Sequence, residues 1–266
     1  MYKEEFCGLI ADSVENLQGK KIAIAFSGGV DSTLLALMVS KIASVNLYVV
    51  GTKGSYDIEA AKSAAKILKL PLTVIKITEN DVDKGIADVV RILDKDNLVN
   101  KTDMRTIITV AFNLPLYFVA KHAKEKIIAT GQGPDNFLGG YSMHLGMSRK
   151  NLDRELKKSA GDMLSTDLPQ YTAIANAFGK EVAVPYLDKR ILAFAKKLPL
   201  SKKISGEKRK LIMVETAEFL GLPKELAERQ KKSAQYGSGI MDAIKNIAKR
   251  REVRTSQLPR RVLGRL

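Results

Sequence analysis

Ile22-Ala23-Ile24-Ala25-Phe26-Ser27-Gly28-Gly29-Val30-Asp31-Ser32-Thr33 is the stretch on which the fold turns. Its first five residues are all apolar and predict a strand, Ile22–Phe26, of the kind buried on both faces. Gly28 and Gly29 allow a tight turn, and the aliphatic spacing that follows predicts a helix over Ser32–Ala43. A strand running through a glycine turn into a helix presents main-chain N–H groups, backed by the positive end of the helix dipole, to an anion. Ser27, Ser32 and Thr33 add hydroxyl donors. Asp31 cannot bind phosphate directly, and its natural role is to hold a Mg²⁺ that bridges phosphate oxygens. The stretch has no Gly-Lys-Ser/Thr ending and no Gly-x-Gly-x-x-Gly spacing, which argues against a kinase-type phosphate loop and a dehydrogenase.

Outward from this stretch, Asn46–Gly51, Leu72–Ile77 and Lys126–Thr130 read as further strands, with helical spacing over Asp57–Leu70 and Asp103–Lys124. Alternation of this kind predicts an α/β fold with a doubly wound parallel sheet, whose ligands bind at the carboxyl ends of the strands. From about Lys150 the pattern is mostly helical, broken at Glu181–Leu187 and at the turns marked by Pro199 and Pro223. The expected organisation is one domain over residues 1–250, with a nucleotide-binding core at about 20–145, a helical layer at about 150–250 and a basic tail at 251–266.

Composition narrows the chemistry. The 266 residues are 45% hydrophobic, enough for a large core, and the single cysteine, Cys7, excludes an internal disulfide or a cysteine-rich zinc site. With two histidines in all, a transition-metal site is not expected either: His122 reads as a surface residue, and His144 lies nearer the presumed site. No apolar run approaches the ~20 residues of a membrane span, so the expectation is a soluble, cytoplasmic protein. The net charge of +15 suits a polyanionic partner, whether a nucleotide or a tRNA. Lys249–Leu266 holds seven basic residues against Glu252 alone, and reads as a solvated terminus.

The Ser-Gly-Gly-x-Asp-Ser pattern resembles the signature of the N-type ATP pyrophosphatases, and the likeness extends to the synthetase domain of asparagine synthetase. Thr130-Gly131-Gln132-Gly133-Pro134-Asp135-Asn136-Phe137-Leu138-Gly139-Gly140-Tyr141 is similar to that family's Ser-Gly-Glu-Gly-Ser-Asp-Glu-x-x-Gly-Gly-Tyr. Glu181-Val182-Ala183-Val184-Pro185-Tyr186-Leu187-Asp188 is similar to its Glu-x-Arg-x-Pro-Phe-Leu-Asp, and Gly206–Lys210 and Arg229–Lys231 to its basic C-terminal segments. The resemblance implies adenylation of a small carboxylate by Mg·ATP with loss of pyrophosphate, then displacement of AMP by ammonia or an amine. It implies Mg²⁺ held by Asp31 and Asp135, pyrophosphate held by Ser27–Thr33, and phosphate charge neutralised by Lys210 and Lys231. Lys208 is the alternative to Lys210, and main-chain groups near Ala25, Val50 and Gly131 would contact adenine and ribose.

Departures bear on the acceptor. The family's Glu that lies against the adenylate and helps deprotonate ammonia is Gln132, a neutral amide that cannot take a proton. Asn136 and Ala183 replace a second acid and an arginine. The catalytic set is therefore Asp31, Asp135, Lys210 and Gln132, with asparagine as product placed in doubt. Tyr2 stands where the catalytic cysteine of a glutaminase domain is expected, so nitrogen would come from free ammonia, an amine or a separate glutaminase subunit. Two other readings stay open: a tRNA-modifying ATP pyrophosphatase, favoured by the charge, and a nucleotide sensor without catalysis, suggested by Gln132 and Asn136. An oligomer is compatible with all three. Ser55 and Asp57, after the second strand, read as helix caps or as polar groups near the nucleotide.

Overall fold

Ile22, Ala23 and Ile24 have no exposed surface, as expected of a strand with neighbours on both edges and helices on both faces. The computed structural model describes residues 1–96, 106–229 and 234–259. After α1 (Tyr2–Val14) come β1 (Lys21–Ala25), α2 (Val30–Ser40), β2 (Ser44–Gly51), α3 (Tyr56–Leu68), β3 (Leu72–Lys76), α4 (Glu79–Lys95), α5 (Thr106–His122) and β4 (Ile127–Thr130). The remainder comprises α6 (Pro134–Phe137), α7 (Arg149–Asp162), α8 (Leu168–Asn176), β5 (Glu181–Ala183), α9 (Lys189–Lys197) and α10 (Leu200–Lys203). The short hairpin β6 (Ile204–Ser205) and β7 (Lys208–Arg209) leads to α11 (Leu211–Phe219), α12 (Lys224–Ala227), α13 (Ala234–Gly237) and α14 (Ile240–Arg250).

The five long-range strands form one parallel sheet in the order β3-β2-β1-β4-β5, with Ala25 opposite both Tyr48 and Thr130. Right-handed crossovers place α2 and α3 on one face and α4 and α5 on the other. Helices α1, α11 and α12 pack on α2, while α8 and α14 pack on α4 and α5. The order reverses between β1 and β4, and a crevice opens there at the strands' carboxyl ends. The doubly wound α/β sheet expected from the sequence is the fold observed.

Several boundaries differ from expectation for identifiable reasons. Helix α2 starts at Val30 rather than Ser32, with Gly29 as its extended N-cap, so Asp31 lies in the first helical turn where a negative charge meets the helix dipole favourably. Glu181–Leu187 is more than an interruption: its first three residues pair with β4 as the fifth strand, and Pro185–Leu187 form a 3-10 turn. Helix α4 was not expected; it starts at a capping box between Thr78 and Asp81 and buries Val82, Ile86, Val89, Val90 and Leu93 at helical spacing. Asp103, expected to open α5, lies outside the described residues. In the expected solvated tail Arg251, Glu252 and Arg254 are exposed, but Leu258 and Pro259 are buried and Arg251 pairs with Asp83 at 2.5 Å, next to the pair of Arg250 with Glu79. Among the described residues, no helix is long and apolar enough to cross a membrane.

Candidate functional site

Because β1 and β4 are neighbours, the two glycine-rich turns at their ends face each other. Gly28 has φ +72°, and a Cβ there would lie 2.6 Å from the main-chain carbonyl of Ala60, so the position requires glycine on both counts. Arg229 ties the same two segments together: Nη1 donates to the Ala60 oxygen at 2.7 Å and lies 3.5 Å from that of Gly28. Within the turn, Ser32 Oγ donates to the Gly29 oxygen at 3.1 Å and accepts from Ser27 N at 3.3 Å. Gly131 comes so close to the first turn of α2 that a Cβ on it would lie 2.9 Å from Ser32 N.

Lys210 closes this arrangement from the far end of the sequence. It adopts the left-handed conformation, φ 52° and ψ 43°, at the N-cap of α11. Its Nζ donates to Asp31 Oδ1 and Oδ2 at 2.8 and 2.7 Å, and lies 2.7 Å from Asp135 Oδ1. Asp31 and Lys210 are both buried, and Asp135 is largely so. One ammonium is thus shared between two carboxylates in a largely buried setting. Two carboxylates converging on one point, with no third Asp, Glu, His or Cys joining them among the described residues, cannot cage a metal alone. They are the hard-oxygen pair that Mg²⁺ takes when phosphates and water supply the remaining ligands.

The supports of this cluster come from elements whose part the sequence reading missed. Tyr186 Oη, wholly buried, donates to the Asp31 main-chain oxygen at 3.0 Å, and burial pushes its phenol well above the ordinary range, so it remains a donor. Arg209 Nη1 donates to the Gly140 oxygen at 2.6 Å and fixes the hairpin before Lys210 beside the turn after Asp135. Both residues lay within recognised motifs, but neither motif revealed what its side chain would touch.

Beside the cluster runs a cleft lined by Ala25, Ser27, Ser32, Val50, Gly131 and Gln132. Phe112, Leu116 and Tyr171 supply an apolar wall against which a planar base could lie, and Ser238 closes the far side. That closure is made by main chain, where Thr52 N donates to the Ser238 oxygen at 2.9 Å. Thr33, expected as a hydroxyl donor, is fully buried with its hydroxyl unpartnered among the described residues, and its N–H bonds to the Gly29 oxygen at 2.9 Å. Gly28 and Gly29 shape the turn without lining the cleft. On the opposite side of Asp135 and Lys210, a groove of about 1360 Å³ is bordered by Tyr141, Arg209, Val214, Arg229 and Tyr236.

The other candidates fall outside the cluster. Lys208 pairs with Glu228 at 3.0 Å on the surface, whereas Lys210 meets both acids. Lys231 lies outside the described residues. Asn136 bridges Tyr141 Oη at 3.0 Å and Ser159 Oγ at 3.1 Å, holding the glycine turn to α7. Ser55 occupies the N-cap of α3 without making the capping bond, and Asp57 lines the cleft. His122 is exposed, whereas His144 is buried beneath Tyr141, and burial holds its imidazole below the ordinary value.

The family model described as asparagine synthase matches residues 5–156 and 145–263. The chain belongs to the asparagine synthase family. It is 30% identical over 269 residues to the "Putative asparagine synthetase (glutamine-hydrolyzing) 1" of Methanocaldococcus jannaschii, covering 86% of this chain and 48% of that protein. With asparagine synthetase B of Escherichia coli it shares 26% over 271 residues, covering 92% of this chain and 47% of that protein. The chain thus spans about half the length of the curated relatives it matches. Among solved structures, the NMN synthetase of Francisella tularensis aligns at a TM-score of 0.44 and 12% identity, over 100% of this chain and 86% of that one. Membership in the asparagine synthase family gives a common frame to the glycine turn, the Asp135 segment and the Pro185–Asp188 segment.

Proposed function

We propose that this member of the asparagine synthase family is an AMP-forming ligase that adenylates a small carboxylate. The observation that carries the reading is the convergence of Asp31, Asp135 and Lys210 beside a glycine turn at the sheet's switch point. ATP lies with its base in the cleft against Phe112, Leu116 and Tyr171, and with its phosphates toward Ser27–Ser32. A carboxylate oxygen of the acceptor attacks the α-phosphorus, the bond from that phosphorus to the β-bridging oxygen breaks, and pyrophosphate leaves. Mg²⁺ held by Asp31 and Asp135 would neutralise phosphate charge when bound.

Lys210 is placed to follow the charge that develops on the leaving pyrophosphate, with Lys231 as a second cation for the same purpose. In the second half, an amine or ammonia nitrogen attacks the acyl carbon, loses its proton to water, and AMP departs. Gln132 orients the adenylate as a hydrogen-bonding amide and takes no proton. The nucleophile is free ammonia, an amine, or ammonia from a glutaminase subunit acting alongside. The charge of +15 favours a second reading, in which the acceptor is a base carbonyl of tRNA.

The test is release of pyrophosphate and AMP from Mg·ATP with a panel of small carboxylates and with total tRNA, using Asp31→Ala as the control. Release that depends on a small acid and is lost in the control supports the ligase. Dependence on tRNA replaces it with the second reading. Nucleotide binding without release under any condition overturns both.

A further inference from the structure

A separate cavity of about 330 Å³ lies behind α6, between α7, α9 and α10, and shares no residue with the cleft or the groove described above. Its size falls at the lower end of the range of small-molecule sites, ~300–1,000 Å³. Phe137 and Leu156, both buried, with Ala160 and Leu192 form its apolar wall. Lys157, Lys196 and Lys203 line it on the polar side, together with Asp153.

Lys203 is the unusual member. It is 4% exposed, yet its ammonium makes no hydrogen bond or ion pair with a side chain of any described residue. The neighbouring acid Asp153 is already engaged by Lys157. Burial depresses the Lys203 ammonium, with Lys157 adding to the effect and Asp153 only partly opposing it. An ammonium with little access to water and no hydrogen-bonding counter-charge is poorly solvated, and an anion arriving in the cavity would offset that cost. Three lysines against one acid leave the lining with an excess of positive charge.

We propose that this cavity binds a small organic carboxylate with an apolar body, its carboxylate on Lys203 and its chain against Phe137, Leu156 and Leu192. The apolar wall disfavours inorganic phosphate, and the buried ammonium disfavours neutral ligands. An occupant would touch two residues joined through the chain to the Asp135–Lys210 cluster. Phe137 is two residues from Asp135, and Lys203 leads into Ile204, which packs on Gly139 and pairs with Arg209 one residue before Lys210.

Titration calorimetry of the whole chain with hexanoate and octanoate, alone and with saturating Mg·ATP, tests the site. Octan-1-ol and inorganic phosphate serve as the neutral and the compact controls. The expected result is saturable one-to-one binding of octanoate, weakened at least ten-fold by Lys203→Met and retained with Mg·ATP present. Should Lys203→Met fail to fold, the surface variant Lys196→Glu is expected to weaken octanoate several-fold. Absence of saturable binding, an affinity unchanged in both variants, equal binding of phosphate or octanol, or displacement by Mg·ATP would each overturn the proposal.

Discussion

The phenol oxygen of Tyr186 lies 3.0 Å from the main-chain oxygen of Asp31, so the segment after edge strand β5 is fastened to the first turn of α2. Tyr186→Phe keeps the ring packing and removes this buried bond, a loss of about 1 kcal/mol. Denaturant unfolding should show that decrement, and pyrophosphate release should fall because the Asp31 turn is less firmly held.

Removing Lys210 has a larger effect of a different kind. In Lys210→Met the carboxylates of Asp31 and Asp135 lose the ammonium they share, and breaking a buried pair in this way costs about 3–5 kcal/mol. Mg²⁺ should therefore raise the melting temperature of Lys210→Met more than that of the wild type. Pyrophosphate release is expected to fall on the order of 100-fold even when the variant is held folded by Mg²⁺.

Gly28→Ala places a methyl group 2.6 Å from the Ala60 carbonyl in a left-handed conformation. The conformational term alone is about 1–2 kcal/mol, and displacement of α3 adds to it. Calorimetric melting should show a loss above 2 kcal/mol, and nucleotide affinity should fall with it, because Arg229 anchors to the same carbonyl.

Asp167 ends the π-helical turn Met163–Asp167 between α7 and α8, where burial, with the charge of Asp162 nearby, pushes its carboxyl up to about 6. The folded state thus holds its proton more tightly than the unfolded state, whose value is near 4. Below about pH 4 both states are protonated and the group costs nothing; stability then falls as pH rises to about 6, and the full penalty persists above it. Asp167→Asn should stabilise the protein at pH 7.5 by about 1–2 kcal/mol, after allowance for partial exposure. The difference should vanish near pH 4.

The strand, the glycine turn and the helix of residues 22–43 were legible because local chemistry dictates each: a continuous apolar run, two glycines, then helical spacing. Asp31, Asp135 and Lys210 could be named because they lie in recognisable motifs, although their convergence depends on contacts across 179 residues that no local pattern encodes. Helix α4 escaped notice because charged residues break its apolar ones into singles and pairs, and its clearest signal is the Thr78–Asp81 cap. The tail was legible only in part, for the converse reason. Its arginines read as a solvated cluster, whereas Arg250 and Arg251 meet Glu79 and Asp83 on a helix that the apolar runs did not reveal.

The wall of the cleft at Ser238 meets Thr52 across most of the chain. A polypeptide emerging from the ribosome can form β1, its turn and α2 early, yet it cannot enclose a nucleotide until the segment around residue 238 has followed. Chains ending before it would carry the recognisable glycine turn without the Ser238 wall of the cleft. If the cleft holds a nucleotide as proposed, its retention requires the segment around residue 238, and a nucleotide column would separate chains that include it from shorter ones.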